Sequence, residues 1–139
     1  MYTNVLVPTD GSEPAERAAE QAIAIAEKFD ATLHVLFVVD VEENYPFSVS
    51  TEPVVETLQA EGEKLTAEIA SRAPDGVETA STVTRGSAHE EIVDYANDHG
   101  VELIVLGTHG RRGLDRYLLG SVTERVTRSA DCSVLITRA

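Results

Sequence analysis

The sequence predicts an α/β fold, a doubly wound parallel sheet of five strands and four helices layered as an α/β/α sandwich, and three observations carry that expectation. Segments apolar on both faces alternate with segments whose apolar residues recur at helical spacing. The alternation begins on a strand, passes through four helices and closes on a strand, the order that builds parallel crossovers. Cap and turn residues stand at the junctions. At 139 residues the chain fits one domain, 1–139, and a domain of this length buries roughly 68–70% of its unfolded surface.

Residues 3–8 read as a short buried strand stopped by Pro8, which cannot donate to a ladder. From Ser12, a natural N-cap, Ala15, Ala18, Ala19, Ala22, Ile23, Ala26 and Phe29 repeat at helical spacing and predict an amphipathic helix to about Lys28. Residues 33–39 are a continuous apolar run of the kind buried on both faces. The stretch 40–52 contains Pro46 and no clear period, and it reads as a loop. A second helix starts near Pro53, a residue favoured in a first turn, and carries Val54, Leu58, Leu65 and Ile69. Residues 77–84 read as the third strand. Ser87 with Glu90 has the capping-box pattern and opens a helix through Ile92, Val93 and Ala96 that ends at Gly100. Residues 103–106 form the fourth strand. Ser121 with Glu124 repeats the capping-box pattern for a last helix, and Ser133 to Thr137 close the chain as the fifth strand.

Charge narrows the function classes. The formal net charge is −13, which argues against nucleic acid as a partner, because phosphate backbones are held chiefly by lysine and arginine. Only Lys28 and Lys64 are lysines against nine arginines, and with the glutamate excess this predicts a halophile-like surface. No apolar run approaches the ~20 residues that span a bilayer, and Met1 leads directly into a strand-like segment, so the expectation is a cytoplasmic protein without membrane attachment. Cys132 is the one cysteine and reads as a small core residue. Residues 1–70 carry 14 acidic and 3 basic side chains, residues 71–139 carry 10 and 8. Within 111–128, Arg111, Arg112, Arg116, Arg125 and Arg128 face only Asp115 and Glu124. A positive cluster in an acidic chain points to a bound anion.

That cluster overlaps the loop after the fourth strand, where Gly107, Gly110 and Gly120 permit positive φ and close backbone approach, and the following helix start offers N–H groups to a phosphate. Ser121 either caps that helix or gives its hydroxyl to the same oxyanion. In parallel sheets ligands bind beyond the carboxyl ends of the strands where strand order reverses, which directs attention to the loops after strands one and four. The chain has no G-x4-G-K-S/T phosphate loop, and His34, His89 and His99 show no zinc-ligand spacing with one another or with a cysteine.

Gly107, Gly110, Gly120 and Ser121 match every fixed position of G-x2-G-x9-G-S/T, and here the sequence resembles the universal stress proteins of the ATP-binding subclass. The resemblance extends to Val7-Pro8-Thr9-Asp10, to Val38-Val39-Asp40 and to Gly86 before His89-Glu90-Glu91-Ile92. It implies strand order 3-2-1-4-5 and an ATP site, with AMP or ADP as other occupants and Mg²⁺ arriving with the phosphates. By that resemblance Asp10 contacts ribose or adenine, with Pro8 and Thr9 shaping the pocket. Val38 meets the adenine edge through its backbone, Gly86 and Ala88 line the far side, and Gly107, Gly110, Gly120, Ser121 and Val122 cradle ribose and phosphates. Arg111 and Arg112 are candidates for terminal phosphates. For Asp10 a turn carboxylate is the alternative, and for Val38 plain core; His109, inside the motif, reads as a loop spacer rather than a catalyst. The implied function is a regulatory, stress-response nucleotide-binding module with at most slow hydrolysis. The alternatives are an ATPase or a phosphoryl or nucleotidyl transferase, or a nucleotide-free dimeric interaction module. If the implied order holds, Ser133 to Thr137 form an unprotected edge strand, and a homodimer through that strand is expected.

Overall fold

The opening apolar segment becomes the middle of a sheet, with Val5, Leu6 and Val7 fully buried. A computed structural model describes residues 1–40, 51–109 and 119–138. The elements run β1 (Asn4–Pro8), α1 (Glu13–Phe29), β2 (Thr32–Val39), α2 (Thr51–Ser71), β3 (Thr79–Arg85), α3 (Ala88–Asp98), β4 (Leu103–Gly107), α4 (Ser121–Ser129) and β5 (Ser133–Thr137). The five strands are parallel and lie in the order β3-β2-β1-β4-β5. The expected fold class and strand order are therefore those of the protein.

Alternation of side chains gives the sheet two covered faces. Val5, Val7, Leu33, Val35, Leu103 and Val105 pack with Ala18, Ala19, Ala22 and Ala26 of α1 and Ile69 of α2. Alanine at these positions lets the α1 backbone lie close to the strands. Leu6, Leu36, Ile104 and Leu106 point the other way, onto Ile92, Tyr95 and Ala96 of α3 and Val126 of α4. The chain thus lays its first two helices on one face and its last two on the other, so crossovers on the two sides of β1 diverge and the order reverses between β1 and β4.

Several boundaries differ from the sequence expectation. The second helix begins at Thr51, two residues before Pro53, and residues 41–50, the rest of the expected loop, lie outside the described residues. The third strand is Thr79–Arg85, because Val77 is drawn into a turn in which its N–H donates to the Pro74 carbonyl at 3.1 Å. The last helix has Gly120 as its N-cap and Ser121 as its first residue, so Ser121 does not cap it. At α3, Ser87 occupies the N-cap position but makes no side-chain cap bond, its hydroxyl pairing with His89 Nδ1 at 3.1 Å. Ser12 does cap α1, accepting the Ala15 N–H at 3.3 Å. Cys132 is half-buried beside the α3–α4 cluster, and burial pushes its thiol pKa up. Among the described residues no helix is long and apolar enough to cross a membrane.

Candidate functional site

Where the strand order reverses, the two central strands part. β1 is registered with β4 only at Val5↔Leu103 and Leu6↔Ile104, whereas β1 stays paired with β2 as far as Pro8↔Leu36 and β4 with β5 as far as Gly107↔Thr137. Both strands therefore run on past their last shared rung. The crevice this opens at their carboxyl ends is flanked by the loop after β1, the end of β2, the β3–α3 turn and the start of α4.

The loop after β1 is tightly fastened. The Thr9 N–H donates to the Leu36 carbonyl at 2.8 Å, carrying the β1–β2 association one residue past Pro8. Thr9 is buried, and its hydroxyl accepts the Gly11 N–H at 3.2 Å. Asp10 Oδ1 accepts the Ser12 N–H at 3.0 Å, the turn role that the sequence offered as the alternative for this carboxylate, and Gly11 takes φ 81° to complete the turn.

At the end of β2, Val38 is half-buried and packs against the α3–α4 cluster, so its side chain is core, while its backbone lies one residue pair from the strand end. Asp40 then reaches across to α3, where its Oδ2 accepts the Ala88 N–H at 2.9 Å. Gly86 sits at φ 153°, which disfavours any residue with a Cβ, and its N–H donates to the Val39 carbonyl at 3.1 Å. Pro8, Thr9, Asp10, Val38, Gly86 and Ala88 are thereby gathered around neighbouring strand ends.

Across the crevice, Gly107 ends β4 against the first turn of α1. A Cβ built there meets Pro14 Cβ at 2.7 Å and the Pro14 carbonyl carbon at 2.8 Å. Gly120 is confined less severely, since its Cβ would stand 3.0 Å from His109 Cα. Neither needs positive φ: Gly107 is absent from that region and Gly120 has φ −66°. The expectation of positive φ is corrected for both, and close approach is what fixes them as glycine. The Gly120 N–H donates to the Thr108 carbonyl at 2.8 Å and the Thr123 hydroxyl to the Gly107 carbonyl at 2.9 Å. These two bonds pin the helix start to the strand end. Gly120 brings no side chain to cap α4, and among the described residues no other side chain accepts from its first-turn N–H groups; leading N–H groups of a helix are the kind that await an acceptor. Ser121 is exposed and Val122 half-buried at this start. His109 packs within the junction, its Nδ1 3.2 Å from the Thr108 hydroxyl. Gly110, Arg111 and Arg112 lie outside the described residues.

Three contributors escaped the sequence reading. Pro14 forms the wall against Gly107, Asp40 supplies the α3 cap, and Thr123 latches α4 to β4. Pro14 and Thr123 look like ordinary first-turn helix residues. Asp40 stood beside a recognised strand end, yet its partner is 48 residues away in sequence. A separate open groove between α1 and the end of β5, lined by Arg17, Glu20, Lys28, Thr137 and Arg138 among others, has mixed charge and does not lie where the strand order reverses.

Universal stress protein MJ0531 of Methanocaldococcus jannaschii is 39% identical over 99% of this chain and 83% of its own length. Among solved structures, hypothetical protein MJ0577 superposes with a TM-score of 0.88 at 32% identity, covering 100% of this chain and 97% of that one. A universal stress protein solved in complex with cAMP superposes with a TM-score of 0.72 at 25% identity, covering 99% and 97%. The universal stress protein family model matches residues 1–138, and with the reversed strand order and the glycine-built junction of β4 and α4 already in place, this chain belongs to the universal stress protein family.

Proposed function

We propose that the crevice between β1 and β4 binds an adenine nucleotide, ATP foremost, and that the protein is a regulatory module whose state follows nucleotide occupancy, with at most slow hydrolysis. The observation that carries this reading is the start of α4, capped by no side chain among the described residues and pinned by Gly107 and Gly120 at the mouth of the parted strands. Such a start is suited to a phosphate group. In support, a family member that resembles this chain over nearly its whole length was solved with cAMP.

In this reading Gly107, Gly120, Ser121 and Val122, together with Gly110, Arg111 and Arg112, hold ribose and phosphates. Pro8, Thr9 and Asp10 shape the ribose side, Val38 offers backbone to the base, and Gly86 and Ala88 form the far wall. Ala88 would serve by its surface, because its N–H is already given to Asp40. Mg²⁺ would accompany the phosphates, since it commonly keeps several waters and takes few protein ligands. Isothermal titration with ATP and Mg²⁺, paired with a thermal melt, tests the reading. Binding should add about 2.7 kcal/mol of stability at 100 times Kd. An unchanged melt with no heat overturns it.

We further propose a homodimer through β5. Every residue of β4 is buried, whereas Val134, Leu135 and Ile136 of β5 remain half-exposed at the sheet edge. Pairing with a second copy would cover them. Ile136→Pro should then give monomers, read by light scattering after size exclusion; a wild-type mass near the 15.0 kDa of one chain at micromolar concentration excludes the dimer.

A further inference from the structure

We infer that the Thr84 hydroxyl hydrogen-bonds the adenine end of the bound nucleotide and sets base preference in the crevice; the inference rests on the adenine-nucleotide reading above. Thr84 lies on β3 directly in register with Val38. Phe37 and Val39 pack with Val83 on the α2 face, so alternation turns Thr84 to the opposite face, the one on which Val38 packs. Two residues further on, Gly86 folds the chain over the end of β2 through its bond to the Val39 carbonyl. Thr84 is thus placed just beneath the β2–β3 rim of the crevice.

Its hydroxyl is anomalous. Thr84 Oγ1 is shielded from solvent and has no hydrogen-bond partner among the described residues. Elsewhere the fold satisfies its buried threonines: Thr9 Oγ1 accepts from Gly11, Thr66 donates to the Gly62 carbonyl, and Thr123 donates to the Gly107 carbonyl. A buried hydroxyl without a partner is costly, and valine would fill the same volume without that cost. A turn about χ1 as a ligand enters would bring the hydroxyl out to it and satisfy it, and this accounts for threonine here. Phosphates are drawn to the α4 start on the β4 side, which leaves the β2–β3 side to the base. The adenine edge presents both a donor amine and acceptor ring nitrogens, and a hydroxyl can answer either.

The test compares wild type, Thr84→Val and Thr84→Ser by calorimetry with adenosine and with ATP, and by melting without ligand. Thr84→Val should melt at higher temperature than wild type yet bind both adenosine and ATP about three- to tenfold more weakly, the scale of one neutral hydrogen bond. Thr84→Ser should bind within twofold of wild type. A Thr84→Val protein that binds ATP as wild type does, or that loses affinity for ATP but not for adenosine, overturns the role of Thr84 while leaving the nucleotide site standing. A wild-type protein that binds neither ligand overturns the nucleotide reading and this inference together.

Discussion

Two helix starts, those of α3 and α4, open toward the same crevice and are finished in opposite ways. The α3 start is closed by a carboxylate: Asp40 accepts the Ala88 N–H at 2.9 Å, and Glu90 and Glu91 follow in the first turn. The α4 start has only Gly120 at its cap position and a single acid, Glu124, in its first turn, and the arginines of 111–128 lie in its part of the sequence. Negative charge already satisfies the N-terminal dipole of α3 and repels a second anion there, while α4 retains its attraction. Under the proposed function, this difference would put the phosphates of a nucleotide at α4 and its base on the β2–β3 side.

The largest effect should come from filling the α4 start. Gly120→Val places a branched side chain where even a Cβ stands 3.0 Å from His109 Cα. ATP affinity should fall by about 100-fold or more, equivalent to about 2.7 kcal/mol. Because Gly120 has φ −66°, a valine backbone is allowed there, and circular dichroism should remain native. Wild-type affinity in this variant would mean that the anion is held elsewhere and the contrast between the helices has no functional meaning.

Removing the α3 cap is the complementary change. Asp40→Ala should cost about 1 kcal/mol of stability, the usual value of a lost cap, measured by urea denaturation, while ATP affinity shifts less than threefold. A large loss of affinity with no loss of stability would reverse the assignment and make Asp40 a ligand-binding group.

These paired caps also mark how far the sequence could be read. Ser12 was legible because its partner, Ala15, is three residues away. The S-x-x-E patterns at Ser87 and Ser121 were equally visible and misleading, since the first serine turns to His89 and the second lies one residue inside its helix. The true cap of α3 comes from the residue that follows β2, and no local pattern can report a bond across 48 residues. The strands were legible because burial on both faces demands apolar residues at every position, as in β4. Their order came from the family resemblance. The glycines of the motif were recognised, but the reason for them was not: Pro14 and His109 crowd those positions only once the chain has folded.

The far end of α3 gives a smaller, pH-dependent effect. His34 on β2 is buried, its Nε2–H donating to Asn4 Oδ1 at 2.9 Å and its Nδ1 accepting from the Tyr95 hydroxyl at 2.8 Å. His99, whose ring stacks on Tyr95, donates from Nδ1 to the Tyr95 carbonyl at 2.9 Å. Burial, and secondarily the nearby His99, lowers the His34 pKa below its ordinary 6.5. The fold thus favours neutral His34, so this contribution is complete above about pH 6.5 and is lost as pH falls through the lowered folded value. Wild-type stability should decline across that window more steeply than that of His34→Gln, with ATP affinity at the distant α4 start unaffected by the substitution. Parallel stability curves for the two proteins would remove His34 from the account.

Salt should produce the smallest change and the one most specific to the contrast, because it acts on the two charge patterns with opposite signs. The chain as a whole carries −13, concentrated in residues 1–70, and self-repulsion loosens a compact acidic fold when it is unscreened. The Debye length falls from about 10 Å at 0.1 M salt to about 3 Å at 1 M. Raising KCl over that range should therefore raise the melting temperature of the ligand-free protein by screening the acidic surface. The same screening weakens the pull of the arginine-rich α4 side on phosphates, so ATP affinity should fall while adenosine affinity, which depends on the uncharged end, holds. Melting curves and titrations at matched KCl concentrations separate the two effects. Stability and ATP affinity that rise together would show that the positive cluster does not steer the anion, because a site fed by local positive charge must weaken as the field that feeds it is screened.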